Sequence, residues 1–408
     1  MADNFDYDIL IIGGGMVGAS LACALGEQPL RIAVIEAVPF RSQQHPSYDE
    51  RSIALAYGSR LILEGMGLWP RLDGQVTPIK RIHVSDRGHF GMSHMDSRGS
   101  GCDALGYVVE NRVLGNVLAE RLEQLAHIEM FCPARLDSLD PDSKSVTAVI
   151  DQDGQTRSLT ARLVIGADGS QSAVRKLTGI DARTWDYGQS AIIANVTPEH
   201  GHDFTAYERF TDSGPLALLP LTEQRCSLVW TVRTAEADTV MNYDDDEFLH
   251  RLQQRFGYRL GTFIRKGRHV AYPLTLMRAS PHRQPRLALI GNAAHTLHPI
   301  AGQGLNLGIR DVAALAEVIV ESLHKQRDIG SAHMLRQYDS WRLRDQRRII
   351  TLTDSLVRLF SNRLPPLVAA RNLGMLVMDV VPPLKRQLLR HTMGLAGHLP
   401  RLARGLPL

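Results

Sequence analysis

The sequence has few cysteines, and none of them is placed as a metal or redox motif requires. Among 408 residues only Cys23, Cys102, Cys132 and Cys226 occur, and no two of them have C-x-x-C spacing. Zinc sites use closely spaced cysteines, and disulfide frameworks belong mainly to short secreted chains. We therefore expect neither a zinc site nor a disulfide framework, as in a protein of the reducing cytosol.

Long apolar runs and a strong overall charge are also missing. No uninterrupted apolar stretch reaches the roughly 20 residues that cross a bilayer, and the first residues lack a basic segment followed by an apolar signal. The net charge of +3 gives no argument for nucleic-acid binding. We therefore expect a cytoplasmic protein without a nucleic-acid partner, and peripheral contact with the inner membrane surface stays open.

Candidate metal ligands are sparse. His295 and His298 are three residues apart, but no cysteine, histidine or carboxylate stands beside them as a third ligand, and the proline and glycine context interrupts a helical face. A structural or catalytic metal needs three or four protein ligands. We therefore expect no metal site.

What charge there is lies unevenly along the chain. Residues 341–408 carry 12 basic and 3 acidic residues, a net +9, whereas residues 1–340 carry 34 basic and 40 acidic residues, a net −6. In residues 364–408, leucine, valine and methionine are interleaved with arginine and lysine. Two interpretations remain open for this basic helical region: an extension that packs on the body, or an amphipathic element that docks on a membrane or a partner protein.

A dinucleotide fingerprint lies at the start of the chain. The apolar run Tyr7–Ile12 predicts a buried parallel strand, and it leads into the G-x-G-x-x-G sequence of residues 13–18. A helical pattern follows, and then a second strand at residues 31–35 that ends at Glu36. Strand, glycine turn, helix, strand and terminal acid in this order predict a nucleotide site.

Each residue of the fingerprint has a physical task. Gly13 permits the tight turn, Gly15 lets the backbone approach a pyrophosphate, and Gly18 lets the helix pack closely on the strand. Glu36 accepts hydrogen bonds from ribose hydroxyls, and its negative charge disfavours a 2′-phosphate. The site should therefore hold FAD or NAD rather than NADP.

A second glycine motif lies some 270 residues later. An apolar strand pattern at residues 287–290 ends at Gly291, and His298-Pro299 then precedes Gly302-x-Gly304 and a long helical pattern. Glycine permits close backbone approach, and the first turn of a helix offers unpaired N–H groups to a bound group. Together with the fingerprint, this motif indicates one extended cofactor.

Two intermediate segments allow either a structural or a cofactor role. Asp168-Gly169 follows an apolar strand pattern and precedes Ser170 and Ser172, so it predicts a helix cap or a cofactor contact. Arg51 precedes a predicted helix at residues 53–67, and the residues alone favour a surface or capping role for it. Beside two other glycine motifs, the cofactor interpretation of Asp168 is the better one.

The middle of the chain changes character and predicts a second domain. Alternating runs at 191–196, 205–210, 215–220 and 226–232 indicate antiparallel strands, and an acidic helical pattern follows at 244–256. We predict a discontinuous cofactor domain at 1–180 and 280–340, which includes part of the substrate domain near 75–105. A β-rich substrate domain follows at 181–279, and a helical region at 341–408.

In these three ordered motifs the chain resembles the class A flavoprotein monooxygenases related to para-hydroxybenzoate hydroxylase. The resemblance implies an α/β fold: a Rossmann-like FAD-binding domain, an inserted β-sheet substrate domain and a helical C-terminal region. The sequence of residues 49–69, 108–114 and 296–317 is similar to that of the ubiquinone-biosynthesis hydroxylases. Gly291-Asn292 followed by TLHPIAGQG is similar to the 2-octaprenyl-6-methoxyphenol hydroxylases, whereas most relatives carry Gly-Asp there.

The resemblance also implies which residues contact FAD. It carries cofactor-binding roles over to Gly13, Gly15, Gly18, Glu36, Arg51, Arg112, Asp168, Asn292, Pro299, Gly302, Gly304, Leu305 and Asn306. Asn111 falls at the same place as Arg112, within one residue of alignment. Asn292 would replace the aspartate that binds the ribityl chain, which keeps an acceptor oxygen but loses a negative charge.

The chemistry that the resemblance implies is phenol hydroxylation. NAD(P)H reduces FAD, O2 adds to it, and the resulting C4a-hydroperoxyflavin transfers OH to an activated phenol, here a 2-polyprenyl-6-methoxyphenol of ubiquinone biosynthesis. The residue that activates the phenol is not identified; His298 and Pro299 are the flavin-proximal candidates, and His269 and Tyr187 are further candidates.

Two alternatives stay open. One is a sibling hydroxylase of the pathway that acts at another ring position. The other is a flavin-bearing scaffold subunit that assembles with other ubiquinone-biosynthesis proteins.

Overall fold

The structure is a computed structural model that describes residues 5–39, 51–362 and 364–408. Its strands in chain order are β1 (Tyr7–Ile12), β2 (Ile32–Ile35), β3 (Ser52–Ala56), β4 (Thr77–Ile79), β5 (Arg81–Asp86), β6 (Met92–Asp96), β7 (Gly106–Glu110), β8 (Ile128–Phe131), β9 (Arg135–Pro141), β10 (Val146–Gln152), β11 (Gln155–Gly166), β12 (Ala182–Pro198), β13 (Thr205–Thr211), β14 (Gly214–Pro220), β15 (Cys226–Arg233), β16 (Phe263–Lys266), β17 (Val270–Ala279), β18 (Arg283–Gln284), β19 (Leu287–Leu289) and β20 (His295–Thr296).

The helices in chain order are α1 (Met16–Leu25), α2 (Tyr57–Gly65), α3 (Asn111–Gln124), α4 (Ala173–Thr178), α5 (Thr234–Met241), α6 (Asp245–Phe256), α7 (Gln303–His324), α8 (Ala332–Ser361), α9 (Pro365–Val380) and α10 (Pro382–Thr392). The fold class predicted from the sequence is confirmed.

The first sheet has the start of the chain at its centre. Its order is β18-β19-β11-β1-β2-β8, and every pairing from β19 to β8 is parallel. Parallel strands are covered on both faces and therefore consist of continuous apolar residues. Accordingly Ile9, Leu10 and Ile11 are all fully buried, and α1 packs against both α3 and α7 over one face.

The second sheet is mainly antiparallel and has the order β20-β17-β12-β15-β14-β13-β5-β6. Because side chains alternate along a strand, β13 presents two different faces. Tyr207 contacts Phe256 of α6, with ring centroids 5.5 Å apart, whereas Phe210 stacks on Phe360 of α8. One face of this sheet therefore carries a core under α6, and the other faces the C-terminal helices.

A third sheet, of order β3-β7-β4, corrects the helix predicted at residues 53–67. The helix begins only at Tyr57, because Ser52–Ala56 forms β3 and pairs with Gly106–Glu110. The partner strand lies about fifty residues further along the chain, so the local pattern of alanine and leucine could not reveal it.

The chain ends in long helices. Ser331 caps α8, its side chain accepting a hydrogen bond from the Met334 N–H, and α8 runs through the predicted boundary at 340/341. Among the residues that the structure describes, no helix alone is long and apolar enough to cross a membrane; α9 and α10 meet that test only as a pair bent by 96°.

Candidate cofactor and substrate site

One cavity of about 1510 Å³ connects the fingerprint, the second sheet and the C-terminal helices. Ordinary ligand pockets measure about 300–1,000 Å³, so this one has room for an extended cofactor together with a substrate. Its walls bring together residues far apart in sequence: the β1–α1 turn, β3, β13, the Asn292–Asn306 segment, and α8 to α10.

The fingerprint turn is shaped by its glycines. Gly13 has a φ of +101°, and a Cβ there would lie 2.6 Å from the Ala167 carbonyl oxygen. A Cβ at Gly18 would overlap the Gly13 carbonyl oxygen, so a side chain at Gly18 would push α1 away from the turn. Gly15 lines the cavity with open space before it. This turn therefore leaves room for a group that lies close to the backbone.

Glu36 ties the same turn to the end of β2. Its Oε2 accepts a hydrogen bond of 2.6 Å from the Gly14 N–H, and its Oε1 accepts one of 2.8 Å from the Val38 N–H. The carboxylate is buried and lines the cavity. Since two carboxylate oxygens offer about four acceptor positions, Glu36 can hold the turn and still accept from a ribose hydroxyl.

Asp168 lies just before α4 and lines the cavity. Its Oδ2 accepts a hydrogen bond of 3.0 Å from the Val174 N–H, while the helix cap proper is Ser172. Its Oδ1 is buried and has no partner within the described part of the chain. Because a buried acceptor without a partner is costly, this atom fits a hydroxyl donor from a cofactor in the cavity.

Asn292 also lines the cavity, on a 3₁₀ turn of residues 291–293. It is exposed to the cavity, and Thr296 nearby has a buried hydroxyl oxygen without a partner among the described residues. Gly291 has a φ of +57°, and a Cβ there would meet Val17 of α1. This turn therefore brings polar groups onto the cavity wall close to the start of α1.

A buried carboxylate holds this turn in place. Asp311 of α7 accepts hydrogen bonds from the Gly291 N–H (3.1 Å) and His295 Nε2 (2.7 Å). It also accepts from Arg342 Nε (2.7 Å) and Gln346 Nε2 (3.0 Å) of α8. Burial by itself would raise the pKa of Asp311, but the His295 and Arg342 charges outweigh it and hold the pKa well below its usual range.

The start of α7 is bounded by glycine. Gly302 has a φ of +61° and is the N-cap, and Gly304 lines the cavity, where a Cβ would meet no atom within 4 Å. Asn306 accepts from the Ala56 N–H (2.7 Å) and from Ser59 Oγ (2.7 Å). Its amide donates to two carbonyl oxygens, so its side chain is used within the protein and shapes the site.

The predicted cofactor residues fall into two groups. Those that line the cavity are Gly13, Gly15, Glu36, Arg51, Asp168, Asn292, Pro299, Gly302, Gly304, Leu305 and Asn306. Gly18 instead packs α1 on the turn, and Arg112 is exposed and forms an ion pair of 3.2 Å with Glu110. Asn111 lines the cavity in place of its neighbour Arg112. Asp49 and Glu50 lie outside the described residues.

The candidate bases do not line the cavity. His298 is buried under the turn, its ring 5.3 Å from that of Tyr187, and burial lowers its pKa to about 4. The Tyr187 hydroxyl donates to Asp354 over 3.0 Å, and His269 bonds to the Met241 carbonyl. His298, Tyr187 and His269 therefore do not lie on the cavity wall, whereas Pro299 does.

One acid that the sequence analysis missed does line the cavity. Glu208 lies on β13 between Ala206 and Phe210, which share its face of the sheet. A charged residue at an inward position of an alternating strand is an unusual pattern, and that signal was present in the sequence. The chemistry of these groups fits FAD, because polar groups flank two glycine turns. Beyond them the cavity wall is apolar and includes Val84, Ala206, Phe210 and Ala217, which we call the apolar floor.

Comparison with known proteins supports the same conclusion. Residues 6–353 match the FAD binding domain family, and the chain belongs to that family. The ubiquinone hydroxylase UbiL of Rhodospirillum rubrum is 41% identical over 404 residues, covering 98% of this chain and 93% of that protein. The 3-demethoxyubiquinol 3-hydroxylase of Escherichia coli is 34% identical over 398 residues, covering 96% of this chain and 100% of that protein.

Among solved structures, p-nitrophenol 4-monooxygenase PnpA of Pseudomonas putida superimposes with a TM-score of 0.79 at 21% identity, covering 96% of this chain and 98% of that one. This likeness shows the fold. The class inferred from the sequence is confirmed: the chain is an FAD-dependent monooxygenase of the aromatic hydroxylase type, with NAD(P)H and O2 as co-substrates.

Proposed function

We propose that this protein hydroxylates a polyprenylated phenol, 2-polyprenyl-6-methoxyphenol, in ubiquinone biosynthesis. The observation that carries the proposal is the single cavity that joins a dinucleotide turn to an apolar compartment under α8, α9 and α10. Identity of 41% with the ubiquinone hydroxylase UbiL over 98% of the chain supports it. The Gly291-Asn292 sequence, followed by TLHPIAGQG, favours the 6-methoxyphenol substrate.

The two glycine turns that line the cavity hold different parts of FAD. Gly13 and Gly15 bind the pyrophosphate, Glu36 the adenosine ribose, and Asp168 a hydroxyl of the linking chain. Bound FAD supplies the transfer of electrons from NAD(P)H to O2. Beside Pro299, the first N–H groups of α7 stabilise negative charge, because a helix N-terminus carries a partial positive charge.

The apolar compartment suits the prenyl chain. Its walls include Leu352 and Leu356 of α8, Met375 and Met378 of α9, and Leu388 of α10. Unbranched methionine side chains adapt to flexible ligands. Since a polyprenyl chain has no polar groups, it fits this wall and also excludes water from the ring that reacts.

We further propose that α9 and α10 contact the membrane from which the substrate comes. Helix α9 exposes Leu373, Leu376 and Val380, at 58%, 43% and 67%, and the following helix α10 exposes Arg386 and Arg390. Apolar side chains beside basic ones favour an anionic lipid interface. Co-sedimentation with anionic vesicles tests this: Leu373→Glu should reduce binding, and unchanged binding would contradict the contact.

A second candidate function is favoured by one comparison. The Escherichia coli relative of 34% identity is a 3-demethoxyubiquinol 3-hydroxylase, which acts on a differently substituted ring. Both candidate substrates share the prenyl chain, so the apolar compartment fits either. They differ only in the substituents of the ring.

Deletion of the gene distinguishes the two candidates. The proposal predicts accumulation of a 2-polyprenyl-6-methoxyphenol, identified by mass spectrometry of lipid extracts, and its disappearance when the chain is restored. Accumulation of a 3-demethoxyubiquinol would instead support the second candidate. An unchanged quinone profile would contradict both hydroxylase assignments.

A further inference from the structure

Glu208 is a carboxyl group on an apolar floor. It lies on β13 opposite Ala217 of β14 and Val84 of β5, and all three side chains line the cavity. Within the described part of the chain, its carboxylate forms neither a hydrogen bond nor an ion pair, and burial raises the pKa of Glu208 to about 7. The group is therefore poised to exchange a proton near neutral pH.

Two buried acids elsewhere in the described fold, Asp86 and Asp311, are compensated. Asp86 accepts from Arg371 Nε at 2.8 Å and from Asn372 Nδ2 at 3.1 Å, and Asp311 has four donors. A buried carboxylate without such partners destabilises a fold. Glu208 has no structural interaction that offsets this cost within the described residues, and functional sites are where such groups persist.

The position of Glu208 is next to the predicted flavin end. Phe210 follows two residues later on the same face, about 7 Å along the strand. Phe210 packs in one cluster with Ile300, the residue after Pro299, and with Phe360 and Met375. Glu208 therefore faces the part of the cavity that lies between the Pro299 turn and the C-terminal helices, where the ring of a substrate would lie.

Other charged or titratable groups also line the cavity: Glu36, Arg51, Arg135, Asp168, Tyr207, Tyr272 and Arg371. Tyr207 packs against Phe256, and the Arg51 guanidinium lies over the Tyr272 ring, 4.6 Å from its centroid. Arg371 is bound by Asp86 and by carbonyl oxygens of residues 359, 360 and 362. Glu36 and Asp168 lie at the fingerprint end.

We propose that Glu208 is the general base that activates the phenol for hydroxylation, an assignment that rests on the proposed function for its substrate. General bases act within hydrogen-bond reach of the proton that they remove. Glu208 lies on the wall of the compartment, whereas His298, Tyr187 and His269 do not.

The step balances with the co-substrates of the enzyme. The phenolic O–H bond breaks, its proton moves to a Glu208 carboxylate oxygen, and the electron pair enters the ring. A ring carbon ortho or para to that oxygen forms a C–O bond with one atom of O2, and its hydrogen leaves as a proton. NAD(P)H is oxidised, and the second oxygen atom leaves as water.

The test is a comparison of holoenzyme carrying Glu208→Gln with the wild type, using 2-farnesyl-6-methoxyphenol as substrate. Removal of a general base typically lowers the rate about 10²- to 10⁴-fold, so hydroxylated product per minute should fall by this factor while the flavin absorbance spectrum is unchanged. Wild-type kcat/KM should fall about tenfold per pH unit below about pH 7. The variant should instead gain rate towards the pKa of the free phenol, about 10.

Two further variants separate a chemical role from a structural one. Glu208→Asp keeps the carboxyl group and should retain an acid limb in its pH profile. Glu236→Gln, which removes an exposed carboxylate paired with Arg233 on α5, should behave as the wild type. Wild-type product formation by Glu208→Gln, with the acid limb unchanged, would overturn the assignment of the base and leave the proposed function intact.

A second readout does not require turnover. Infrared difference spectra of the holoprotein between about pH 5 and about pH 9 should show a carboxyl C=O band that titrates near neutrality, is lost in Glu208→Gln, and responds to the added phenol. If the wild type hydroxylates no prenylated phenol but this band responds to the added phenol, the proposed substrate is wrong, whereas the assignment of Glu208 as the base is retained. A band that ignores the phenol would overturn the base.

Discussion

Replacement of Asp311 by asparagine tests whether the buried charge of this residue holds the flavin end of the site. Asp311 is fully buried, and all four of its hydrogen-bond partners are donors. An asparagine side chain has one acceptor oxygen and two N–H donors. The oxygen can serve one pair of partners, but the amide nitrogen then faces the other pair, donor against donor, so at least two hydrogen bonds are lost.

The expected loss of stability follows from the buried charge of Arg342, which would lose its Asp311 partner. Arg342 would stay buried with only Asp345, 2.6 Å away, as a compensating charge. Removing one partner of a buried ion pair costs about 3–5 kcal/mol. We therefore expect Asp311→Asn to lower the free energy of unfolding by about 3 kcal/mol or more. We also expect it to weaken FAD binding, because hydrogen bonds to a neutral side chain hold the Gly291 turn less strongly than those to a carboxylate.

The assay is urea unfolding of wild type and variant with FAD in excess, followed by circular dichroism, with the FAD dissociation constant measured separately. Asp203→Asn is the control, because Asp203 is 82% exposed in its pair with Arg81 and such surface pairs are worth about 0–1 kcal/mol. A loss for Asp311→Asn no larger than that of the control would refute the reasoning.

The pH dependence of the unfolding free energy gives a second test, because it depends on the direction in which the pKa of Asp311 is shifted. The pKa of Asp311 is lowered in the folded state, so its stabilisation is present above the unfolded pKa of about 4 and is lost as the pH falls below it. The asparagine variant lacks this group. The difference in unfolding free energy between wild type and variant should therefore shrink below about pH 4.

Two further predictions concern the cofactor. Glu36→Lys replaces the acceptor of the Gly14 and Val38 N–H groups by a cation, so the purified protein should lose its yellow colour; full FAD content would count against the ribose contact. Asn292→Asp should retain FAD, because a carboxylate keeps the acceptor oxygen, and colourless protein after this change would show that the amide itself is needed.

The nucleotide end of the site could be predicted because its signals are local. Gly13, Gly15 and Gly18 are required by one turn, and the strand before them and Glu36 after them lie within about 30 residues. Backbone sterics and helix packing act over such distances, so the residue types alone indicate the geometry. The same holds for the strands β12 to β15, whose alternation of apolar and polar residues is a property of each strand.

The helix predicted at residues 53–67 is present only over Tyr57–Gly65, and its predicted start was wrong for the opposite reason. Alanine and leucine favour a helix locally, but Ser52–Ala56 pairs with Gly106–Glu110. Strand formation depends on a partner, and the partner is set by the tertiary fold. Likewise, no sequence pattern links Asp311 to Gly291 and Arg342, because that cluster exists only where α7, α8 and the 3₁₀ turn meet.

The sequence by itself determined the family, the cofactor and the order of the motifs, since each motif consists of residues close together in the chain. Only the tertiary structure decided which groups face the cavity. In the folded protein His298 is buried beneath the turn, Arg112 lies at the surface and Glu208 lies on the apolar floor. The physical reason is that the burial of a carboxyl group, and therefore the shift of its pKa, depends on residues distant in sequence. For Glu208 these residues lie on β5 and β14, and they reach it only when the chain folds.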